Sequence, residues 1–239
     1  MKNYLKMGIV LMIFAVIVAA ALSAVYSITK DPIDKAELNF KLSAIKTVLT
    51  DYKTGKLLIS ESDVPDSLEK LDEKIWKQTD EENLFYSSQY KAYVASPVYR
   101  FTLEDGRDAY LVTGGGIAYG GYVKILASFI KNESGLEMFE IEVLDYSQET
   151  PGLGAKIAEA KPKERFFNIP EQGLEKGLKV DKDAGVSVKN TKDFIENEKK
   201  DGVIVTSDIM TGATITPRGV ANALNAMYEY LKNEIGGEE

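Results

Sequence analysis

The spacing of apolar residues changes repeatedly along the chain, and each change predicts a different element. From Met7 to Tyr26 every residue is apolar or small except Ser23. At 1.5 Å per helical residue, a run of about 20 such residues spans the roughly 30 Å hydrocarbon layer of a bilayer. After Asp31-Pro32, a capping residue followed by a first-turn proline, Leu38, Leu42, Ile45 and Leu49 recur at helical spacing. A helix that continues or follows the span is therefore expected. Leu68, Leu71 and Ile75 form one stripe within the charged stretch Glu61 to Asp80, which predicts a second amphipathic helix capped by Asp66 or Ser67.

Strand character begins at Tyr90. Tyr90 to Leu103 is rich in aromatic and β-branched residues, Glu104-Asp105-Gly106-Arg107 is a hairpin turn, and Asp108 to Val112 resumes the strand. Gly120-Gly121 punctuates before a strand over Tyr122 to Ile130, and Lys131 to Gly135 turns again. From Leu136 to Leu144, Met138, Glu140 and Glu142 alternate with Phe139, Ile141 and Val143, which predicts a meander with one wet face. Pro151-Gly152-Leu153-Gly154 reads as a loop, and Lys156 to Phe167 as a short helix interrupted at Pro162. Leu178 to Lys189 suggests short extended pieces and Val203 to Thr206 a brief strand. Val220, Leu224, Met227, Leu231 and Ile235 predict a helix from Pro217, closed by Gly236-Gly237. Antiparallel strands segregated from helices, without βαβ repeats, give an α+β class. The expected organisation is a cytoplasmic N-terminus and transmembrane anchor over residues 1–30, a helical connecting region over 31–89, and a domain over 90–239.

Charge and composition orient this outline. Lys2, Lys6 and Lys30 give residues 1–30 a local +3 with no acid, so the rest of a chain of net charge −8 carries −11. The positive-inside rule then puts the N-terminus in the cytoplasm and the acidic domain outside, as a single-pass protein of the cytoplasmic (inner) membrane. A cleaved signal peptide is the competing reading, with Lys2 and Lys6 as its basic region and Ala21-Leu22-Ser23 as a small-x-small site. The apolar run outlasts the roughly 7–15 residues of a signal core, which favours a retained anchor. The acidic balance excludes a nucleic-acid surface. The chain has no cysteine and no histidine. That removes structural zinc, iron–sulfur clusters, haem held by either residue, disulfides, and thiol or Ser-His nucleophiles. No metal-ligating or catalytic residue is expected.

Candidate chemistry concentrates before the last helix. In Asp208-Ile209-Met210-Thr211-Gly212-Ala213-Thr214-Ile215-Thr216-Pro217, three hydroxyls, a carboxylate and two tiny residues precede a helix expected to have Thr216 as N-cap and Pro217 as its first residue. Unpaired N–H groups and partial positive charge favour an anion such as phosphate there. The local residues equally describe an ordinary Thr-capped helix.

Asp-x-x-(Ser/Thr)-Gly-Ala-Thr-x-Thr resembles the flavinylation motif of the FMN-binding domain family, found in the G subunit of the Rnf electron-transport complex and the C subunit of the sodium-translocating NADH:quinone reductase. Glu149-Thr150-Pro151-Gly152-Leu153-Gly154 with Lys156-Ile157 resembles the family's second signature, and Tyr119-Gly120-Gly121 the glycine turn that opens its domain. The resemblance covers the span and residues from about 110 onward, while Pro32 to Tyr90 matches only in broad helical character. It implies FMN held through a phosphoester on Thr214, attached by a separate flavin transferase that uses FAD. Asp208 would order the loop through backbone N–H groups or serve transferase recognition, and Thr211 and Thr216 would be hydrogen-bond partners and caps beside Gly212 and Ala213. Glu149, Thr150, Gly152, Leu153 and Gly154 would lie against the isoalloxazine ring, with Tyr119 and Gly120 at the pocket. One departure is that Ser147 and Gln148 stand where family members often carry histidine before this Glu.

The implied function is a membrane-anchored electron carrier, a subunit of an Rnf-type ion-translocating ferredoxin:NAD oxidoreductase with no independent turnover. Its partners would be the other membrane subunits. Direct NAD or ferredoxin binding is not expected, since the chain lacks a Gly-x-Gly-x-x-Gly turn after a strand and any Cys ligands. The alternatives are the equivalent quinone-reductase subunit, or a cofactor-free extracytoplasmic scaffold.

Overall fold

The computed structural model describes residues 2–189 and 191–237, and leaves out the side chains of Lys2 and Asn3. The inward charge assigned to Lys2 thus falls on a side chain outside the described residues. The chain divides into two units, Met1–Ser43 and Ala44–Glu239.

Helix α1 (Lys2–Val48) fills the first unit and supplies the first residues of the second. Pro32 lies inside it, so Asp31-Pro32 does not start a new helix as expected. A proline removes one N–H donor, and the helical bonds on either side carry the helix through. Among the described residues, α1 is the one helix long and apolar enough to cross a membrane, with none of its most apolar window buried. Phe14, Ile17, Leu22 and Ile28 are all exposed, as expected of a helix whose solvent is lipid.

In the second unit the predicted helix over Glu61 to Asp80 is replaced by a 3₁₀ turn at Glu61–Asp63, helix α2 (Leu68–Asp72) and strand β1 (Ile75–Lys77). Ser67, not Asp66, is the cap, its side chain accepting from Lys70 N. Pairing wins over the helical stripe because Arg100 N–H donates to Lys74 O at 2.8 Å and Trp76 packs edge-on against Tyr110 at 4.8 Å. Strands β2 (Asn83–Ser87) and β1 therefore both lie before residue 90, within the stretch read as helical.

Tyr90 to Leu103 is two strands, β3 (Ala92–Ala95) and β4 (Val98–Thr102). Three long strands follow, β5 (Asp108–Ile117), β6 (Tyr122–Asn132) and β7 (Gly135–Asp145), joined by the predicted turns. All pairs in this seven-stranded sheet are antiparallel. One edge of β5 is shared, Asp108 to Leu111 pairing with β4 and Gly114 to Gly116 with β3, while β6 takes the other edge along its whole length. The expected wet face is absent. A register shift opposite Ser128/Phe129 puts Leu136, Met138, Ile141 and Val143 in the main core, and Glu140 on the opposite face is itself buried. Ala44, Ile45, Val48, Leu49 and Ile59, with the alternate strand residues Tyr99, Phe101, Leu111 and Leu126, bury apolar surface outside the main core.

Beyond the sheet come a 3₁₀ stretch at Gly154–Ala158, α3 (Ala160–Glu164) with Pro162 inside it, and α4 (Glu171–Glu175). Then follow β8 (Lys179–Val180), α5 (Asp181–Ala184), α6 (Lys192–Lys200), β9 (Val203–Ile204) and α7 (Ile215–Gly236). Strands β8 and β9 form a small parallel pair, which the sequence does not suggest. Helix α7 lies on the sheet, with Val220, Leu224, Met227 and Leu231 in one cluster with Val112, Val123, Ile125 and Phe129. Each such side chain contributes about 1.5–3 kcal/mol of burial. The fold is α+β, and its sheet fixes the turn between β5 and β6 against the first turn of α7.

Candidate functional site

The turn between β5 and β6 closes through Ala118 N to Gly121 O at 2.7 Å, and it meets a carboxylate from far along the chain. Glu149 is 6% exposed, and its Oε1 accepts from Tyr119 N at 3.0 Å and Gly120 N at 3.3 Å. Its Oε2 accepts from the Thr216 hydroxyl. One buried side chain thus joins the glycine turn, the loop after β7 and the first turn of α7. Gly154 completes the junction: a Cβ there would lie 2.1 Å from Glu149 Oε2 and 2.6 Å from Thr216 Oγ1, so any side chain would have to displace this contact.

Helix α7 starts two residues before its expected position. Its N-cap is Thr214, without a side-chain cap hydrogen bond, so Thr216 is not the cap and Pro217 is the third helical residue. That register costs no hydrogen bond, because the first helical N–H groups lack intrahelical partners in any case. Thr216 is buried and spends its hydroxyl on Glu149. Thr214 is half-buried, and its hydroxyl has no hydrogen-bond partner among the described residues. The chain reaches it through Gly212, whose φ of +85° places it in the left-handed region that favours glycine.

The carboxylate that orders the start of this loop is Asp181, which the sequence does not single out. It is 1% exposed, and its Oδ1 accepts from Thr206 N at 2.8 Å and Ser207 N at 3.2 Å. Of the two roles expected for Asp208, binding backbone N–H groups is not seen: it pairs with Arg165 at 2.7 Å, both side chains 13% exposed. The contact engages one oxygen and one nitrogen, and leaves Arg165 Nη1 and Asp208 Oδ1 buried without partners. Nothing in local spacing announces either pairing, since Asp181 and Arg165 lie 25 and 43 residues from the groups they hold.

Between these segments opens a cleft of about 390 Å³. Its walls are Tyr119, Glu149, Thr150, Leu153 and Gly154 on one side and Gly212 to Thr216 on the other. The structure thus brings together most of the predicted site residues from three separate motifs, and adds Ile215, 40% exposed. Gly120 stands behind the wall as a donor to Glu149. Gly152, Asp208 and Thr211 are not in the lining, and Thr211 donates back to Ser207 O at 3.2 Å.

This lining fits a flavin nucleotide. Its size falls at the low end of the roughly 300–1,000 Å³ typical of ligand sites. The exposed apolar edges of Leu153, Ile215 and Tyr119 suit a planar ring, and the unpartnered Thr214 hydroxyl stands at the N-terminus of a 22-residue helix, where phosphate is favoured.

Comparison with known proteins agrees with this geometry. Residues 118–229 match the FMN-binding domain family, and residues 1–48 match the RnfG N-terminal region. The chain is 29% identical over 232 residues to the G subunit of the ion-translocating oxidoreductase complex of Shewanella piezotolerans, covering 96% of this chain and 90% of that one. It resembles a crystal structure from Thermotoga maritima described as an RnfG subunit of an electron transport complex. The identity there is 35% and the TM-score 0.60, over 82% of this chain and 97% of that one. With the anchor helix, the antiparallel domain and the two-sided cleft all in place, this chain belongs to the RnfG family of FMN-binding proteins.

Proposed function

We propose that the protein is a membrane-anchored flavoprotein subunit of an Rnf-type ion-translocating ferredoxin:NAD oxidoreductase, carrying FMN as a phosphoester on Thr214. The observation that carries this reading is the Thr214 hydroxyl, free of partners among the described residues and lining the same cleft as Glu149, Leu153 and Gly154. In the attachment step Thr214 Oγ1 forms a new bond to the flavin-side phosphorus of FAD. The P–O–P bond breaks, AMP leaves with the electron pair, and the hydroxyl proton passes to a base on the flavin transferase.

Once bound, FMN supplies the redox chemistry. The chain's own residues hold it. The first N–H groups of α7 would receive the phosphate and Leu153, Ile215 and Tyr119 would cover apolar edges, while Glu149 fixes the two walls together. A covalent link keeps the cofactor on a domain outside the cytoplasm, with the N-terminus inside by its lysines. The other subunits of the complex are the partners in electron relay, and no NAD or ferredoxin site is assigned to this chain. The match of residues 1–48 to the RnfG N-terminal region favours this complex over the sodium-translocating quinone reductase.

The test is mass spectrometry of the chain made alongside a flavin transferase. A flavin phosphate on the peptide spanning Thr214, lost in Thr214→Ala together with yellow fluorescence on a denaturing gel, supports the reading. An unmodified peptide, or label retained in Thr214→Ala, overturns it.

A further inference from the structure

A second cleft, of about 590 Å³, lies apart from the flavin site. Its cations are Lys53, Lys161, Arg165, Lys192 and Lys199, against Glu164 and Glu196. On a chain of net charge −8 this is a local reversal of sign. Three of the cations are already engaged, Lys53 through its ammonium 5.2 Å from the centroid of the Tyr52 ring. Arg165 pairs with Asp208, and Lys199, 2% exposed, donates to Phe167 O at 2.6 Å and Glu196 Oε1 at 3.3 Å. Lys53, Lys161 and Lys192 make no ion pair among the described residues.

The cations oppose one another at Lys199, while Tyr52, with Glu196 and Asp51, holds the Lys53 ammonium above the ordinary lysine range. Burial pushes the Lys199 ammonium below the ordinary lysine range, and Lys53 and Arg165 push it further the same way, against the pull of Glu196. A cleft lined by three ammonium groups outside any ion pair, beside a Lys199 repelled by Lys53 and Arg165, gains from an anion. The walls add a second chemistry. Tyr52 is 37% exposed with its ring edge-on to Phe167 at 5.0 Å, and Ile195 and Ile209 are half-buried beside it.

We propose that this cleft binds an organic phosphate, its head held by Lys53, Lys161 and Lys192 and its apolar or aromatic body lying on Tyr52, Ile195 and Ile209. Lysines act here as point charges around a compact head, which suits phosphate and needs no bidentate geometry. A concave site favours such a head over an extended acidic peptide. The site is independent of the flavin reading, because none of its residues lines the first cleft.

Calorimetric titration of the full chain in detergent tests this, using AMP, a short-chain phosphatidylglycerol, inorganic phosphate and a hexaglutamate peptide. The expected result is saturable binding of AMP or of the phospholipid, tighter than inorganic phosphate. It should weaken about tenfold or more in Lys161→Glu/Lys192→Glu and fall with added salt. Preference for AMP identifies a soluble phosphate ester as the source, and preference for the lipid identifies a headgroup. No binding of any probe, equal binding by the double variant, or tightest binding of hexaglutamate overturns the proposal. Both variant positions are exposed, so circular dichroism matching the parent separates lost binding from lost folding.

Discussion

The backbone N–H of Tyr52 donates to Glu140 Oε1 at 2.7 Å, tying the segment after α1 to the middle of β7 through a carboxylate only 1% exposed. Burial pushes the Glu140 carboxyl up to about 7, with Asp51 and Glu142 adding in the same direction against the Tyr52 N–H and Lys163. A carboxyl whose folded pKa is raised binds its proton more tightly when folded. Stability is therefore highest below the unfolded value and falls as pH rises from about 4.5 to about 7, by about 3 kcal/mol in all. Denaturant unfolding across this range should show the loss. Glu140→Gln, which keeps an acceptor for Tyr52, should flatten it and unfold at higher denaturant near pH 8; curves that stay parallel to the parent's would rule the explanation out.

Glu149, Gly154 and Thr216 should behave as one unit. Glu149→Ala strands the N–H groups of Tyr119 and Gly120, at a cost of about 1–3 kcal/mol each if water does not reach them. Gly154→Ala drives a methyl into the same carboxylate, costing about 1–3 kcal/mol. Because the first change removes the atom that the second collides with, the double variant should be more stable than the sum of the two predicts. Additive unfolding free energies would show that the contact does not govern this junction.

Arg165→Ala leaves the Asp208 carboxylate buried and unpaired, for a loss of about 3–5 kcal/mol. The companion change Asp208→Ala should recover much of that loss, even though it removes a residue of the segment that resembles a flavinylation motif. Comparing the flavin content of Asp208→Ala and the double variant, both made with the transferase, then separates the roles of Asp208. Normal loading in both assigns Asp208 to the fold, whereas loss in both assigns it to transferase recognition.

Membrane fractionation checks the anchor. The full chain should stay in the pellet through an alkaline carbonate wash, and a chain beginning at Ala44 should be soluble with the sheet signature in its circular dichroism. A mature N-terminus at Ala24 in the soluble fraction would instead establish a cleaved signal peptide.

Periodic segments are legible in the sequence where one face alone is buried. The heptad-like run of α7 and the turns around β5, β6 and β7 follow from local pattern and turn chemistry. What local pattern misses depends on partners far away. Trp76 and Arg100 draw residues 75–77 into a strand, and a bulge opposite Phe129 decides which face Met138 and Ile141 share. Helix α6 is easily passed over because Lys192–Lys200 has only Phe194 and Ile195 as apolar residues, a short stripe on an otherwise charged segment. At the site, the motifs name residues that line one cleft, but their contacts come from tertiary partners. Thr216 belongs to Glu149 rather than to the helix cap, and Asp208 to Arg165 rather than to its own loop.

The absence of room at Gly154 also bears on how related sequences can drift. Positions 149, 154 and 216 share one small volume, so they should be inherited together even though 67 residues separate Glu149 from Thr216. A relative that replaces the acid at 149 with something shorter is released from the demand for glycine at 154. One that loses the hydroxyl at 216 frees a carboxylate oxygen for another donor. Such paired replacements would record the cleft's shape in sequences whose signature motif has worn away.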